Sequence, residues 1–427
     1  MKEDLLHFIW QHQYFDKAGL VTTSGEPINI INPGFPHIDA GPDFTQAKIK
    51  IGDIEWNGHV EIHVKSSDWD RHGHGADQAY QNVILHVVWE DDTPVVYTNS
   101  GLIPTLELRH RIKPSLLRDS SALLKSDARI ACADSIQLVN SLTRISMVER
   151  ALMSRLELKS KEVLLLLKTN DGDWEETTYQ WLARHMGFKK NSEALFRLAQ
   201  QLPLKIIRKH HQEVTQLEAL LFGVSGFLKT EPEDEYSKKI KEEYAYLSKK
   251  YGLASKEMST VEWKFLRLRP ANFPTIRLGQ LAQILSGNPN LFSQLIETTD
   301  IQSIRSMFKA QQSPYWQSHY QFSKPTDHAI PGMGASSVDI LLINVCATIL
   351  VAYAKAIGND EYTERALDLL AGIKPEQNYI TRQWKALGQP LSSAADSQGL
   401  IGLYKLYCQP RQCLRCGIGA AILNRQS

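Results

Sequence analysis

The sequence predicts an α+β protein in which a mixed sheet near the N-terminus precedes a large all-helical region. Before residue 112, short apolar runs alternate with polar residues at the two-residue period of half-buried strands. From Pro114 onward the apolar residues recur every three or four positions, which is the period of amphipathic helices. We therefore predict an α+β domain at residues 1–112 and an all-helical region with a cysteine-containing tail at residues 113–427.

The composition is that of a soluble globular protein without a strong electrostatic bias. The chain has 427 residues, of which 43% are hydrophobic and 22% charged, and its formal net charge is +1. Any attraction to DNA, RNA or a membrane must therefore come from local patches. No apolar run is long enough to span a membrane, and the N-terminus does not resemble a signal peptide. We expect a cytoplasmic protein with no membrane partner, and the sequence does not fix its oligomeric state.

The elements of the first domain follow from the periodicity in chain order. Residues 1–15 place apolar side chains at helical spacing after two acids in the first turn. Residues 21–34 are typical of a strand pair joined by a Gly-Glu-Pro turn. A hairpin of residues 44–51 and 54–65 follows, then a helix-like DQAYQ segment and the short strands VILHVVWED, PVVYTNSG and IPTLELRHRI.

The second strand of the hairpin carries the densest group of potentially catalytic side chains. Successive residues of a strand point to opposite faces, so its valines and isoleucine face a core and its polar residues share the other face. That polar face presents an acid, an imidazole and an amine in a row: Glu61, His63 and Lys65.

Whether Asp43 joins this row depends on the strand register. A regular hairpin that closes on Gly52-Asp53 places Asp43 opposite residue 62, on the wrong face. One extra residue in either strand moves Asp43 opposite residue 61 or 63, on the same face as the acid. Glycine inside a strand often marks such a bulge, and Asn57-Gly58 is a plausible place for it.

The pattern of Pro42-Asp43, seventeen residues and then Glu61-Ile62-His63 resembles the PD-(D/E)XK nuclease superfamily. In that superfamily an aspartate and a second acid hold a divalent metal ion, and a lysine two positions later orients the attacking water. The resemblance implies that Asp43 and Glu61 bind Mg²⁺ or Mn²⁺ in a restriction-endonuclease-like sheet. His63 stands at the lysine's position, and Lys65 lies one step further along the same face.

The residues also allow an interpretation without catalysis. Asp43 can cap a turn, and Glu61 can pair with Lys65 on an exposed sheet face. Hard ions such as Mg²⁺ favour carboxylate oxygen and keep several waters, so two acids are enough for the metal interpretation.

The helices of the second region are long and well punctuated by caps and stop signals. The acidic cap at residues 171–173 and the stops at Gly187 and Pro203 separate three of them. The whole chain is similar to a family of bacterial proteins known only as a domain of unknown function, through segments that include HVEIHV, EALLFG, RLRPANFPTIRLGQLA and CLRCGIG.

A cluster of histidines accompanies the two acids. Imidazole nitrogens of residues on neighbouring strands and a loop could form a zinc site, although no HExxH spacing is present. Alternatively, the loop after Asp68-Trp69 packs well and bonds to the backbone. The histidines are His59, His63, His72, His74 and His86.

The C-terminal tail carries a C-x4-C-x2-C motif. Thiolates at this spacing suit zinc or an iron–sulfur cluster, and a closed site needs a fourth ligand. Cys132 is the best candidate, whereas Cys346 lies in an apolar run and is expected in the core. The alternative is that reduced cysteines simply pack together. The motif comprises Cys408, Cys413 and Cys416.

A third candidate site is the basic segment RLRPANFPTIRLGQLA. Its arginines, Arg267, Arg269 and Arg277, flank two prolines and could present guanidinium groups to phosphates. Trp263 and Lys264 precede them, which gives the basic and aromatic mixture that single-stranded nucleic acid favours. Equally, the arginines could pair with the acidic helix at residues 231–243 or cap helix ends.

The leading functional hypothesis is metal-dependent hydrolysis of DNA or RNA phosphodiesters, with Asp43 and Glu61 as ligands and His63 or Lys65 assisting the water. A second hypothesis is a non-catalytic nucleic-acid-binding or scaffold protein that keeps the fold. A third is a metal-dependent hydrolase of a small substrate that uses the histidine cluster. A metal ion held by oxygen atoms alone would favour the nuclease, and one held by histidines would favour the small-substrate hydrolase. An Asp43 that faces away from Glu61 would favour the non-catalytic protein.

Overall fold

The computed structural model describes residues 1–37, 40–96, 101–229 and 234–424. The chain divides into two compact units, Met1–Val148 with Ile401–Ser427, and Glu149–Leu400. The first unit contains the main sheet and the second is largely helical, so the α+β prediction is confirmed. The division lies beyond the predicted boundary at residue 112 because residues after it, and part of the C-terminal segment, join the core of the sheet.

The first unit begins with a helix, a six-stranded sheet and a short helix before β5. Its elements up to the division are α1 (Glu3–His12), β1 (Ile28–Asn32), β2 (Phe35–Pro36), β3 (Phe44–Ile51), β4 (Ile54–Lys65), α2 (Asp68–Arg71), β5 (Val83–Glu90), β6 (Thr105–Glu107), α3 (Pro114–Lys125) and the start of α4 (Ser141–Thr169).

The sheet is mixed, with strand order β1-β3-β4-β5-β6 and β2 paired to one end of β3. The pairs that involve β3 are antiparallel, whereas β4, β5 and β6 run parallel. The apolar face of α1 and the inward residues of the sheet form one core, because each buries what the other would leave in water. Members of that core include Leu6, Ile9, Ile49, Ile62, Val87 and Leu423.

The predicted elements of this unit agree closely with the structure in the hairpin and less well after it. The hairpin strands are residues 44–51 and 54–65, as predicted. The helix-like DQAYQ segment forms only a 3₁₀ turn, Gln78–Tyr80, because it is too short to close several α-helical hydrogen bonds. The predicted strand PVVYTNSG falls partly outside the described residues, and its described part makes a single bridge, Val96 with Leu102.

The second unit is built from helices and one short ribbon of two strands that the all-helical prediction missed. The helices confined to this unit or ending at its boundary are α5 (Trp174–Met186), α6 (Ser192–Gln201), α7 (Leu204–Lys209), α8 (Val214–Val224), α9 (Glu235–Tyr251), α10 (Pro274–Gly287), α11 (Leu291–Glu297), α12 (Ile301–Met307), α13 (Pro314–Ser318), α14 (Ala335–Leu341), α15 (Ala347–Ile357), α16 (Glu361–Ala371), α17 (Tyr379–Ala386) and α18 (Ala394–Leu403). The ribbon is β7 (His319–Gln321) with β8 (Lys324–Pro325), and α19 (Gly417–Asn424) ends the described chain in the first unit.

One helical run of the second unit, Ala335–Ile357, is long and apolar enough to cross a membrane by length and composition alone. Buried residues make up 67% of its most apolar window, which is the behaviour of a core helix in a soluble protein. A π-turn, Leu342–Cys346, interrupts the run, and within it the carbonyl of Asn344 accepts a hydrogen bond from Trp181 Nε1 at 3.0 Å.

A carboxyl group lies deep in the helical unit. Glu218 on α8 is 1% exposed, and its Oε2 accepts a 2.6 Å hydrogen bond from the hydroxyl of Tyr236. Trp316 Nε1 donates in turn to that hydroxyl at 3.1 Å. Burial raises the pKa of Glu218 from its usual 4.5 to about 7, because the charged form loses its hydration.

We predict that Glu218→Gln removes a pH dependence of stability. Between the unfolded and folded pKa values of Glu218, the folded protein keeps a proton that the unfolded chain releases, so stability falls as pH rises through this window. Above this pH range the free energy of unfolding of the wild type should be lower than that of the variant by at most about 3 kcal/mol. Glutamine keeps an oxygen that can accept from Tyr236.

Urea unfolding at about pH 5 and about pH 8 measures the effect. Glu242→Gln, an exposed substitution on α9, is the matched control and should keep the wild-type pH dependence. An unchanged pH dependence in Glu218→Gln would show that this carboxyl does not titrate between the two values.

Candidate metal centre

A bulge in the hairpin sets the position of the two acids. The ladder between β3 and β4 is regular as far as the pair Ala47 and Gly58, and it has slipped by one residue at the pair Phe44 and Val60. Gln46 supplies the extra residue, with a left-handed φ of 58°. The sequence predicted a bulge here, but it lies in the first strand and not at the glycine of the second.

The slip brings Asp43 beside Glu61, as the register argument required. The backbone N–H of Asp43 donates to Glu61 Oε2 at 3.1 Å, and the N–H of Ile62 donates to Asp43 Oδ2 at 2.9 Å. The carboxylate of Glu61 thus accepts a hydrogen bond from the backbone of Asp43, and that of Asp43 accepts one from the residue after Glu61. These two hydrogen bonds fix both side chains.

The other oxygen of Glu61 faces imidazole groups. Glu61 is 4% exposed, and its Oε1 lies 3.2 Å from His74 Nε2 and 3.6 Å from His63 Nε2. Burial raises the pKa of Glu61 well above its usual value, and the charge of Asp43 adds to the rise. Alone, this carboxyl would hold a proton; an adjacent cation would allow it to ionise.

Two histidines, His63 and His74, face this oxygen, and a third, His72, lies beside them. One ring nitrogen from each of His63, His72 and His74 lies within 4.8 Å of the others, and His63 Nε2 is 3.2 Å from His72 Nδ1. His74 Nε2 is buried and makes no hydrogen bond, because its contact with Glu61 lacks hydrogen-bond geometry. His63 is buried, His74 half-buried and His72 exposed. Imidazole nitrogens grouped beside a carboxylate oxygen are a donor set that suits a transition-metal ion.

A fourth histidine orients the first. His63 Nδ1 lies 2.9 Å from His86 Nε2, and His86 is fully buried on β5. Burial, followed by the charges of neighbouring histidines, lowers the pKa of His63 to about 2 and that of His86 to about 3. Both rings are therefore neutral near pH 7, which is the form that ligates a metal, and His86 fixes the orientation of His63.

The sequence analysis missed His7 on α1. Its Nε2 lies 3.3 Å from Asp43 Oδ2, and both side chains are partly exposed. Burial lowers the pKa of His7, but the adjacent carboxylate of Asp43 outweighs this effect, so the net pKa is raised. No sequence signal links the two residues, since only the packing of α1 on the sheet brings them together.

Lys65, predicted to assist the water or to pair with Glu61, points elsewhere. Its Nζ lies 3.5 Å from Asp92 Oδ2, and its side chain is 52% exposed. Position 65 is at the end of β4, beyond the buried part of the strand. The structure thus brings together Asp43, Glu61 and His63 but not Lys65.

A cleft of about 510 Å³ opens beside His74. Tyr80 stacks on the imidazole with ring centroids 3.8 Å apart, and the buried Nε1 of Trp69 has no hydrogen-bond partner in the described structure. Asp77 is the one carboxylate among the described residues that line the cleft. The lining includes Trp56, Trp69, His74, Asp77, Tyr80, Asn82 and Leu102.

The predicted phosphate-binding segment is only partly exposed. Arg277 is 5% exposed, donates to Asn272 Oδ1 at 2.6 Å and to Gln280 Oε1 at 2.8 Å, and lies over the ring of Phe188. Burial lowers its pKa to about 10. Packing on α10 thus turns Arg277 inward, where its guanidinium bonds to side chains of the helical unit and is not presented at the surface.

Other residues of the predicted phosphate-binding segment are also partly buried and partly exposed. Trp263 is 4% exposed and donates from Nε1 to the carbonyl of Ser225, so it is a core residue and not a stacking platform. Arg267 and Arg269 are exposed, and Arg267 has a left-handed φ of 60°. Lys190 Nζ donates to the carbonyl of Arg267 at 3.2 Å, which holds this bend.

The cysteines of the tail gather with the predicted fourth one. Cys132, Cys408, Cys413 and Cys416 line one small cavity in the first unit. Burial raises the pKa of the Cys132 thiol to about 12, so the free thiol is neutral near pH 7. Cys346 is fully buried in the helical core, as expected.

The chain belongs to the family described as protein of unknown function (DUF2851), whose pattern matches residues 3–379. No curated protein and no solved structure matches the chain. Membership confirms the resemblance to a family of unknown function and brings no activity with it. The resemblance to the PD-(D/E)XK nucleases stays a prediction.

We predict that the wild type binds a transition-metal ion at Glu61 and the three histidines. His74→Ala and Glu61→Gln each remove one metal ligand and should weaken metal binding at least about tenfold. His86→Leu keeps all the ligands but no longer orients His63, so it should lower the metal affinity about 10–100-fold. The measurement is a Zn²⁺ titration against a chromogenic chelator. His12→Ala, an exposed histidine on α1, serves as the control. Equal affinity in all variants would place the ion elsewhere.

Proposed function

We propose that the protein is a metal-dependent hydrolase of a small substrate, with its centre at Glu61, His63, His72 and His74. The observation that carries the proposal is a buried carboxylate oxygen beside His63 and His74, which with His72 form a group of three imidazoles whose ring nitrogens lie within 4.8 Å of one another. Such a mixed donor set suits zinc or a similar ion better than Mg²⁺, which prefers oxygen alone.

A buried carboxyl among neutral imidazoles supports the metal assignment. Ionised Glu61 needs a positive partner, because an unpaired buried charge costs several kcal/mol. His63 and its partner His86 remain neutral near pH 7 and cannot supply that charge. A divalent ion supplies it, and when bound it also acts as a Lewis acid toward the substrate.

His7 and Asp43 supply a group for proton transfer. Asp43 accepts from the backbone N–H of Ile62 and so keeps its carboxylate fixed toward His7. A histidine held by a carboxylate is oriented and has a raised pKa, which suits it to accept a proton in one step and return it in the next. Its partial exposure leaves it open to water and substrate.

The cleft beside His74 favours a small substrate. Its volume of about 510 Å³ is within the range of small-molecule sites, and aromatic rings form much of its wall. The Nε1 of Trp69 offers a donor for a substrate oxygen or nitrogen. No lysine or arginine is among the described residues that line the cleft, so the charge of a polyphosphate backbone would not be matched there.

Nuclease action on DNA or RNA remains a second candidate. It is favoured by the adjacent positions of Asp43 and Glu61 on a mixed sheet, the arrangement that the nuclease resemblance implies with Mg²⁺ or Mn²⁺. Arg267 and Arg269 are exposed for a phosphate backbone. A non-catalytic scaffold is less favoured, since its signature was an Asp43 that faces away from Glu61. Free cysteines suit a reducing cytoplasm as the location.

We predict metal-dependent hydrolysis that requires Glu61. Glu61→Gln should lower kcat/KM at least about 100-fold, because the ion loses its negatively charged ligand. The assay uses nitrophenyl esters, phosphomonoesters and phosphodiesters beside DNA and RNA, each with Zn²⁺, Mn²⁺ or Mg²⁺. Lys65→Met is the control and should keep full activity, since Lys65 faces Asp92.

The substrate panel separates the hypotheses. Cleavage of small esters alone supports the small-substrate hydrolase, and cleavage of nucleic acid with Mg²⁺ or Mn²⁺ supports the nuclease. Absence of hydrolysis by wild type with every ion would contradict both and favour the scaffold.

We also predict that His7→Gln slows turnover without loss of metal. The amide keeps a polar contact to Asp43 but cannot transfer a proton, so kcat should fall about 100-fold while the Zn²⁺ affinity stays that of the wild type. His12→Gln, at the exposed C-terminal end of α1, is the matched control. A parallel loss of metal and activity in His7→Gln would assign His7 to the ligands instead.

A further inference from the structure

The geometry points to a second metallocentre in the first unit: an iron–sulfur cluster held by Cys132, Cys408, Cys413 and Cys416. The four side chains come from two stretches far apart in sequence and line the same small cavity, and none of them forms a disulfide. The remaining lining residues supply no charged group: Leu123, Ala131, Tyr407 and Gly419.

The spacing of the sulfurs distinguishes a cluster from a single zinc ion. Four thiolates around zinc, each at about 2.3 Å, lie about 3.8 Å from one another. Among the described residues, the histidines already described are the one set of three whose ligand atoms all lie within 4.8 Å. No three of the four cysteine sulfurs are therefore that close. A cluster of several irons with bridging sulfides holds its four thiolates further apart than one zinc ion does, so the wider spacing favours the cluster.

Tight turns and one close helix contact fix the backbone around the tail cysteines. Cys413 begins a 3₁₀ turn, and the N–H of Cys416 donates back to its carbonyl at 3.2 Å. The left-handed Arg411, with φ 59°, turns the chain between Cys408 and this turn. An added Cβ at Gly419 would lie 2.1 Å from the carbonyl oxygen of Cys413, so glycine alone lets α19 approach so closely.

The cluster would fasten the C-terminal segment to the sheet. Leu414 and Ala420 pack against the sheet core and Leu423 is part of it, while Cys132 belongs to the loop after α3. Cross-linking these two stretches restricts the unfolded chain and stabilises the folded one, as other structural metal sites do. Each thiol releases its proton when its sulfur binds iron.

The test uses the full chain, produced with added iron and purified without oxygen. The wild type should contain about four irons and four acid-labile sulfides per chain and show a broad visible absorption that bleaches in air. Cys132→Ser and Cys416→Ser should each lose most of the iron and the absorption and unfold at a lower temperature. Cys346→Ser is the matched control because Cys346 is buried in the other unit.

The wild-type content decides the proposal even if a serine variant fails to fold. One tightly bound zinc per chain without sulfide, or a wild type free of iron after anaerobic reconstitution with iron and sulfide, would overturn it. Full retention of iron in both serine variants would overturn the ligand assignment. The result is independent of the proposed hydrolase, since none of these cysteines belongs to the histidine centre.

Discussion

The buried carboxyl of Glu61 is the constraint on which the first unit depends. A carboxylate moved out of water must be protonated, paired with a cation or heavily hydrogen-bonded. Here one oxygen accepts the backbone N–H of Asp43, and the other faces imidazoles that are neutral near pH 7. This environment is tolerable for the neutral acid, and it becomes strongly favourable for the ionised acid once a divalent ion occupies the meeting point of the donors.

The mixed sheet supplies each part of that environment by a different means. The antiparallel pair brings Asp43 to Glu61 through the bulge at Gln46. The parallel pair places His86 directly beside Glu61 on the neighbouring strand. The short segments between β4 and β5 carry His72 and His74, and Glu61 and His63 on the polar face of β4 are buried, whereas Lys65 at its end is exposed. The result is a polar interior whose members position one another, which a half-exposed sheet face could not do.

Both candidate metal centres lie in the first unit. The residues of the histidine centre come from one stretch, 61–74, whereas the cysteine centre joins Cys132 to the distant C-terminal tail. In the second unit, two residues singled out by the sequence are buried instead: Arg277 lies over Phe188 and donates to a side-chain amide, and Trp263 Nε1 donates to the carbonyl of Ser225. Both serve packing, because partners inside the protein stabilise a buried guanidinium or indole.

The sequence by itself determined the fold class, most of the helices, both strands of the hairpin and the set of residues able to bind metal. These depend on local periodicity and turn chemistry, which short stretches contain. Only the tertiary structure decided which of these residues meet. The bulge at Gln46 has no glycine to announce it, and one residue of slip exchanges the two faces of a strand. The contact of His7 with Asp43, the burial of Arg277 and the turning of Lys65 toward Asp92 all follow from long-range packing, which a single sequence does not encode locally.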